Sequence, residues 1–178
     1  MFDAAGIRLT IGTRLGTRHR RSAGYGHGHG RCSLRRRHRL RANAQRVIFV
    51  DTSFWAATTS RRDGHHDEAV LLLERHARDP LLTSNHVVGE TWSFLRRRHG
   101  HRQAVAFLDR VGRTLRLEVV HASREVEAEA LFWLRRHDER EYSFVDATSF
   151  ALMRVRRIFG ALAFDGDFSV AGFTELRA

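Results

Sequence analysis

From residue 47 onward the chain alternates between two hydrophobic periods. VIFV (47–50) is a continuous apolar run of strand length. HHDEAVLLLERHA (65–77) has helical spacing, with acids in its first turn. Pro80 stops that helix. Leu81 and Leu82 make a short extended piece, and Thr83 or Ser84 is placed to cap the helix NHVVGETWSFLRRRH (85–99). Gly100 ends it, and Gln103 to Val111 sets Ala104, Phe107, Leu108 and Val111 on one face of another helix. LRLEVV (115–120) is the second strong strand. SREVEAEALFWLRRH (123–137) and SFVDATSFALMRVRR (143–157) read as helices, ALAF (161–164) as a third strand and FTEL (173–176) as a last edge strand. Strands alternating with helices predict an α/β fold, a three-layer sandwich around a central, mostly parallel sheet. In such sheets ligands bind beyond the carboxyl ends of the strands, so the residues after each strand are where chemistry is expected.

Residues 1–46 break the pattern. SAGYGHGHGRCSLRRRHRLR is rich in Gly, His and Arg and has no amphipathic period. A segment of that kind cannot bury enough apolar area to offset the entropy of ordering it. The expected organisation is therefore a disordered extension over 1–46 and one domain over 47–178. The extension holds 12 of the 31 Lys+Arg and a single acid, Asp3, which leaves 19 basic residues balanced by 19 acids in the domain. The pI near 11.5 thus says nothing about the folded part. An RNA-adhesive arm and a transit peptide are two readings of the extension. The favoured one is a start codon assigned too early, since a clean strand begins at Val47. His27 and His29 could touch a metal, but a GHGHG run is weak evidence for a site.

Composition excludes some chemistry. All 31 basic residues are Arg, so neither the P-loop lysine nor a Schiff-base amine is available. The single cysteine, Cys32, rules out an intrachain disulfide and suits a reducing, cytoplasmic setting. No apolar run reaches membrane-spanning length, so no membrane partner is expected.

Four carboxylates stand near element ends. Asp51 follows the first strand, Asp165 follows ALAF with Asp167 two residues on, Asp146 lies in the first turn of the 143–157 helix, and Glu90 lies about two turns into the 85–99 helix. Each has a plain structural explanation. Asp51 can cap a helix starting at Thr52, Asp146 stands three residues after Ser143 as in a capping box, and Asp165-Gly166 is a turn pair. Glu90 can be a solvated position. Yet Glu90 sits among Val87, Val88, Thr91, Phe94 and Leu95, and Asp146 among Phe144, Val145, Phe150, Ala151 and Leu152, where an unpaired acid is costly. If the four converge, two carboxylates about 5 Å apart repel by roughly 3 kcal/mol at an effective dielectric near 20. Such a cluster needs a proton or a cation, and an oxygen-only donor set selects Mg²⁺, with Mn²⁺ as a plausible substitute, over Zn²⁺.

The stretches VIFVDTSFW, YSFVDATSFALMRVRRI and ALAFDGDFSVAGF, with Glu90 between the first two, closely resemble the PIN-domain ribonucleases, and within them the VapC-type toxins of toxin–antitoxin pairs. The resemblance runs over roughly residues 47–176, and its specific part is SFVDATSF followed by a strand and a D-x-x-F element. It implies a Mg²⁺-dependent endoribonuclease whose acids gather at one end of the sheet. Carried over by motif, those acids are Asp51 and Asp146 as metal ligands, with Glu90 and Asp165 completing the catalytic and metal site. Asp165 takes the D-x-x-F position because Phe168 follows three residues later, so Asp167 is a neighbour. Thr52 and Ser149 match polar positions that steady carboxylates or bind phosphate. The implied partners are RNA, a cognate antitoxin covering the groove, and a second copy in a homodimer. The 46 residues ahead of the first strand depart from the family's pattern.

Two rivals compete with that reading. A haloacid-dehalogenase-like phosphotransferase needs a second Asp where Ser53 stands, and a lysine; receiver domains also need that lysine. A catalytically inactive PIN-fold module binding RNA through its basic arm is the alternative of a different class. Arg61, Arg62 and Arg96 to Arg98 are candidate RNA contacts and, more simply, a solvated face. His86 and His121 lie near strand ends and could line the groove. Trp55, Trp92 and Trp133 read as core.

Overall fold

The computed structural model describes residues 47–178, and the expectations for residues 1–46 lie outside the described residues. Five strands form one sheet: β1 (Ile48–Val50), β2 (Leu81–Ser84), β3 (Leu117–Val120), β4 (Gly160–Leu162) and β5 (Thr174–Glu175). Their order is β3-β2-β1-β4-β5, and every pairing among the described residues is parallel. Parallel neighbours require crossovers, and the helices supply them. These are α1 (Thr52–Thr59), α2 (His66–Arg75), α3 (Asn85–His99), α4 (His101–Arg113), α5 (Arg124–Leu134), α6 (Phe144–Arg156) and the short α7 (Asp167–Val170). They flank the sheet as the three-layer expectation requires.

Burial follows strand position. Every residue of β1 and β2 is buried, as a continuous apolar run in a doubly covered strand should be, while edge strand β3 is largely half-buried. The core contains Phe49, Phe54, Phe107, Phe150 and Phe168, all essentially inaccessible. Phe150 of α6 is its hub, with ring centroids of Trp133, Phe168, Phe173 and Tyr142 at 5.2, 5.0, 5.8 and 6.0 Å. Trp55 and Trp133 are buried and Trp92 packs against the same core, so the tryptophans are structural.

Several boundaries differ from the sequence reading for local reasons. The helix expected over 65–77 stops at Arg75, because His76 and Asp79 bond one another at 2.8 Å and both carbonyls accept from Arg116 Nη1. The strand expected over 161–164 leaves the ladder after Leu162; Phe164 N–H donates instead to Ser53 Oγ at 3.0 Å. The helix starting at Thr52, raised only as an explanation for Asp51, is α1.

The topology fixes where a site can form. From β1 the chain builds outward through β2 and β3, then returns to lay β4 and β5 on the other side. The reversal falls between β1 and β4, and ligands favour the crevice outside the carboxyl ends of strands at such a point. Asp51 follows β1 there, and Asp165 follows β4.

Candidate active site

Asp51 is the N-cap of α1. Its Oδ2 accepts from Ser53 N–H at 2.9 Å and from Ser53 Oγ–H at 2.8 Å, and its backbone N–H donates to Leu162 O at 3.0 Å. Oδ1 is buried and has no hydrogen-bond partner among the described residues. Burial, and next the charge of Asp165, push the carboxyl up to about 8, against the lowering effect of the Ser53 bonds. Asp146 closes a capping box at the start of α6: its Oδ2 accepts from Ser143 N–H at 2.7 Å, and its own N–H donates to Ser143 Oγ at 3.1 Å. Burial pushes it up to about 6, with smaller contributions from Asp165 and Glu90. A carboxyl with two cap bonds ordinarily titrates low, so these rises report desolvation and mutual repulsion winning over hydrogen bonding.

Glu90 reaches the same place from α3. Thr52 Oγ1 donates to its Oε2 at 2.6 Å, which ties α3 to the start of α1. Asp165 is exposed, and its Oδ1 accepts from Asp167 N–H at 3.0 Å in the turn before α7. Asp167 is ion-paired with Arg140, which also donates to Asp165 O at 3.1 Å.

These elements enclose a cleft of about 520 Å³ into which Asp51, Glu90, Asp146 and Asp165 all open, with Thr52, Ser53, Ser143 and Asp167 around them. The four acids named from the sequence therefore line one cleft. Among the described residues, no three His, Cys, Asp or Glu side chains are already drawn together as a metal-binding group. The upward shifts at Asp51 and Asp146 come first from burial, with the neighbouring carboxylates adding to it. The donor set is all oxygen, and Asp51 Oδ1 is an orphaned buried acceptor, so the residues fit a hard divalent cation. A second depression over α2, about 710 Å³, sets Arg61 and His66 beside Asp67 and Glu74. Among the described residues it holds no buried side-chain acceptor without a hydrogen-bond partner, so it lacks that demand.

Some expected contributors lie elsewhere. Ser149 is fully buried, does not line the cleft, and its Oγ has no hydrogen-bond partner among the described residues, so it steadies none of the four acids. Of the five arginines named, only Arg97 lines the cleft; Arg61 belongs to the other depression. His86 bonds Glu127 at 3.0 Å, and neither it nor His121 lines the cleft. The sequence reading missed Asp63, His65 and Phe164 in the wall. Asp63-Gly64 was visible as a turn pair. That the turn folds over the exit of β4 was not, because that contact spans about a hundred residues.

The PIN domain family model matches residues 48–173. The 23S rRNA-specific endonuclease VapC20 of Mycobacterium tuberculosis, in two strains, is 55% identical over 133 residues, covering 74% of this chain and 98% of the relative. The crystal structure of M. tuberculosis VapC20, described as a sarcin–ricin loop cleaving toxin, superposes with a TM-score of 0.69 at 54% identity, over 74% of this chain and 99% of that one. Nucleases of this family generally depend on a divalent metal. With the fold, the four acids lining the cleft and these likenesses in agreement, the chain belongs to the PIN-domain nucleases, among the endonuclease toxins of the VapC type.

Proposed function

We propose that this chain hydrolyses RNA phosphodiester bonds at the acidic cleft, as the toxin of a toxin–antitoxin pair, and that its substrate is the sarcin–ricin loop of 23S rRNA. The carrying observation is the convergence of Asp51, Glu90, Asp146 and Asp165 in one cleft at the sheet's switch point. The substrate reading is supported by identity that spans nearly the whole of a relative named for that RNA.

Asp51 and Asp146 would hold Mg²⁺, with Glu90 and Asp165 completing the cup directly or through water. When bound, the cation supplies charge for the phosphate and acidifies a water. The chain's own residues do the rest. Ser53 and Ser143 fix the two ligand carboxylates through hydrogen bonds, and Thr52 fixes Glu90. Asp165 spends Oδ1 on the Asp167 N–H, leaving Oδ2 to accept the proton of the attacking water. A cognate antitoxin would silence the enzyme by covering this cleft.

The full chain, incubated with a sarcin–ricin loop hairpin and Mg²⁺, is expected to cut it, and EDTA to stop the cutting. Asp146→Asn should reduce the rate by more than the ~10- to 100-fold typical of changes behind a metal's ligands. Cutting by that variant at the wild-type rate would overturn the assignment.

A further inference from the structure

The cleft has a second wall that the acids do not explain. Phe54, fully buried in α1, stacks on Phe164 with ring centroids 5.6 Å apart at 24°. Phe164 is half-buried, and the ring of His65 lies against it at 4.5 Å and only 7° from parallel. The three rings form a column that rises from the core and ends at the cleft in the His65 ring, whose side chain is 54% exposed.

That ring has little to do in folding. His65 is the N-cap residue of α2, yet its side chain makes no cap bond. The loop is held by the His65 backbone N–H, which donates to Asp63 Oδ1 at 2.9 Å. The ring's ion-pair contact is Nδ1 at 3.7 Å from Glu68. Phe164, by contrast, is tied to the acids. Its N–H donates to Ser53 Oγ, which donates to Asp51 Oδ2. Behind it, Arg177 sets its guanidinium 5.5 Å from the Phe164 centroid and donates to Ala163 O at 2.7 Å. The stacked face is thus braced two hydrogen bonds from Asp51.

An acidic cleft repels the phosphates it must receive, and the 47–178 region carries no net charge to draw them in. Arg97 is the one arginine lining the cleft among the described residues, so affinity for RNA there gains from a term that is not charge. Unstacked loop bases offer one, because any base presents a π face to an aromatic or imidazole ring. We propose that His65, seated on Phe164, is a stacking platform for a nucleobase beside the phosphodiester that is cut. This rests on the nuclease reading above, and identifies the part of the RNA held next to the acids.

The test uses the full chain and a sarcin–ricin loop hairpin carrying 2-aminopurine at one loop position at a time. Binding and fluorescence quenching are read in EDTA, where nothing is cut, and KM and kcat separately in Mg²⁺. His65→Ala should weaken binding and raise KM by about 5- to 150-fold, the range of one lost base stack, and abolish quenching at one position. His65→Phe keeps the flat face and should restore both. Unchanged binding and quenching in His65→Ala would overturn the proposal. So would a loss in His65→Phe equal to that in His65→Ala, which would make the imidazole a polar contact to the phosphate, and so would failure of the wild-type chain to bind the hairpin. Quenching that depends on His65 without any cutting in Mg²⁺ would support the platform and refute the nuclease reading instead.

Discussion

Asp51 divides its oxygens between two tasks. Oδ2 takes both Ser53 hydrogen bonds and caps α1, while Oδ1 stays buried and unsatisfied among the described residues. The cap therefore uses one oxygen and leaves the other for the proposed cation, so the structural and the proposed functional readings are compatible. A carboxyl whose folded pKa lies above its unfolded value binds its proton more tightly in the fold. Its stabilisation is full below the unfolded pKa and is lost as pH rises through the folded one. With Asp51 pushed up to about 8 and Asp146 to about 6 from 3.8, the metal-free protein should lose stability as pH climbs from 4 to 8, the Asp146 share ending near 6. Urea midpoints in EDTA at pH 5, 6.5 and 8 measure the slope. Asp51→Asn should flatten it and raise stability at pH 8 while removing RNA cleavage, a trade between stability and function at a charged site. A slope left unchanged by the substitution would show that Asp51 is not its source.

Helix α6 is the element that delivers an acid to the cleft and anchors the core at once. Ser143 and Asp146 close its first turn, and Phe150, one turn further, enters the aromatic cluster. Ser143→Ala removes the side-chain half of the capping box and is expected to cost ~1 kcal/mol. The Ser143 backbone N–H still holds Asp146 Oδ2, so cleavage should fall less than in Asp146→Asn. Phe150→Ala empties the hub and should cost about 3–5 kcal/mol, read as a lowered urea midpoint with the slope unchanged. If Phe150→Ala proved as mild as Ser143→Ala, α6 would not be the anchor its packing makes it.

At the scale of the whole molecule the sheet brings the four acids to one cleft. A cation that binds the folded cup and not the unfolded chain should stabilise the protein by RT ln(1 + [L]/Kd), about 2.7 kcal/mol at 100 times Kd. Mg²⁺ and Mn²⁺ titrations followed by thermal unfolding check this, and the shift should shrink in Asp51→Asn and in Asp146→Asn. Among the described residues no helix is long and apolar enough to cross a membrane.

Local pattern by itself determined most of the elements. The apolar runs of β1 and β2, the helical spacing of α2 to α6, Gly100 at the α3–α4 break with φ of 85°, and the capping serines at 84, 123 and 143 are short-range features. That these four acids were candidates was legible too, Asp51, Asp146 and Asp165 from their places near element ends and Glu90 from its apolar neighbours. Tertiary structure alone decided which side chains share the cleft. It placed Arg97 and His65 in the wall and left Arg61, His86 and Ser149 out of it, since helix rotation and loop path are set by packing against the sheet. It also decided that Asp51 and Asp146 hold their protons tightly, because desolvation depends on the neighbours that burial supplies and not on the residue's own chemistry.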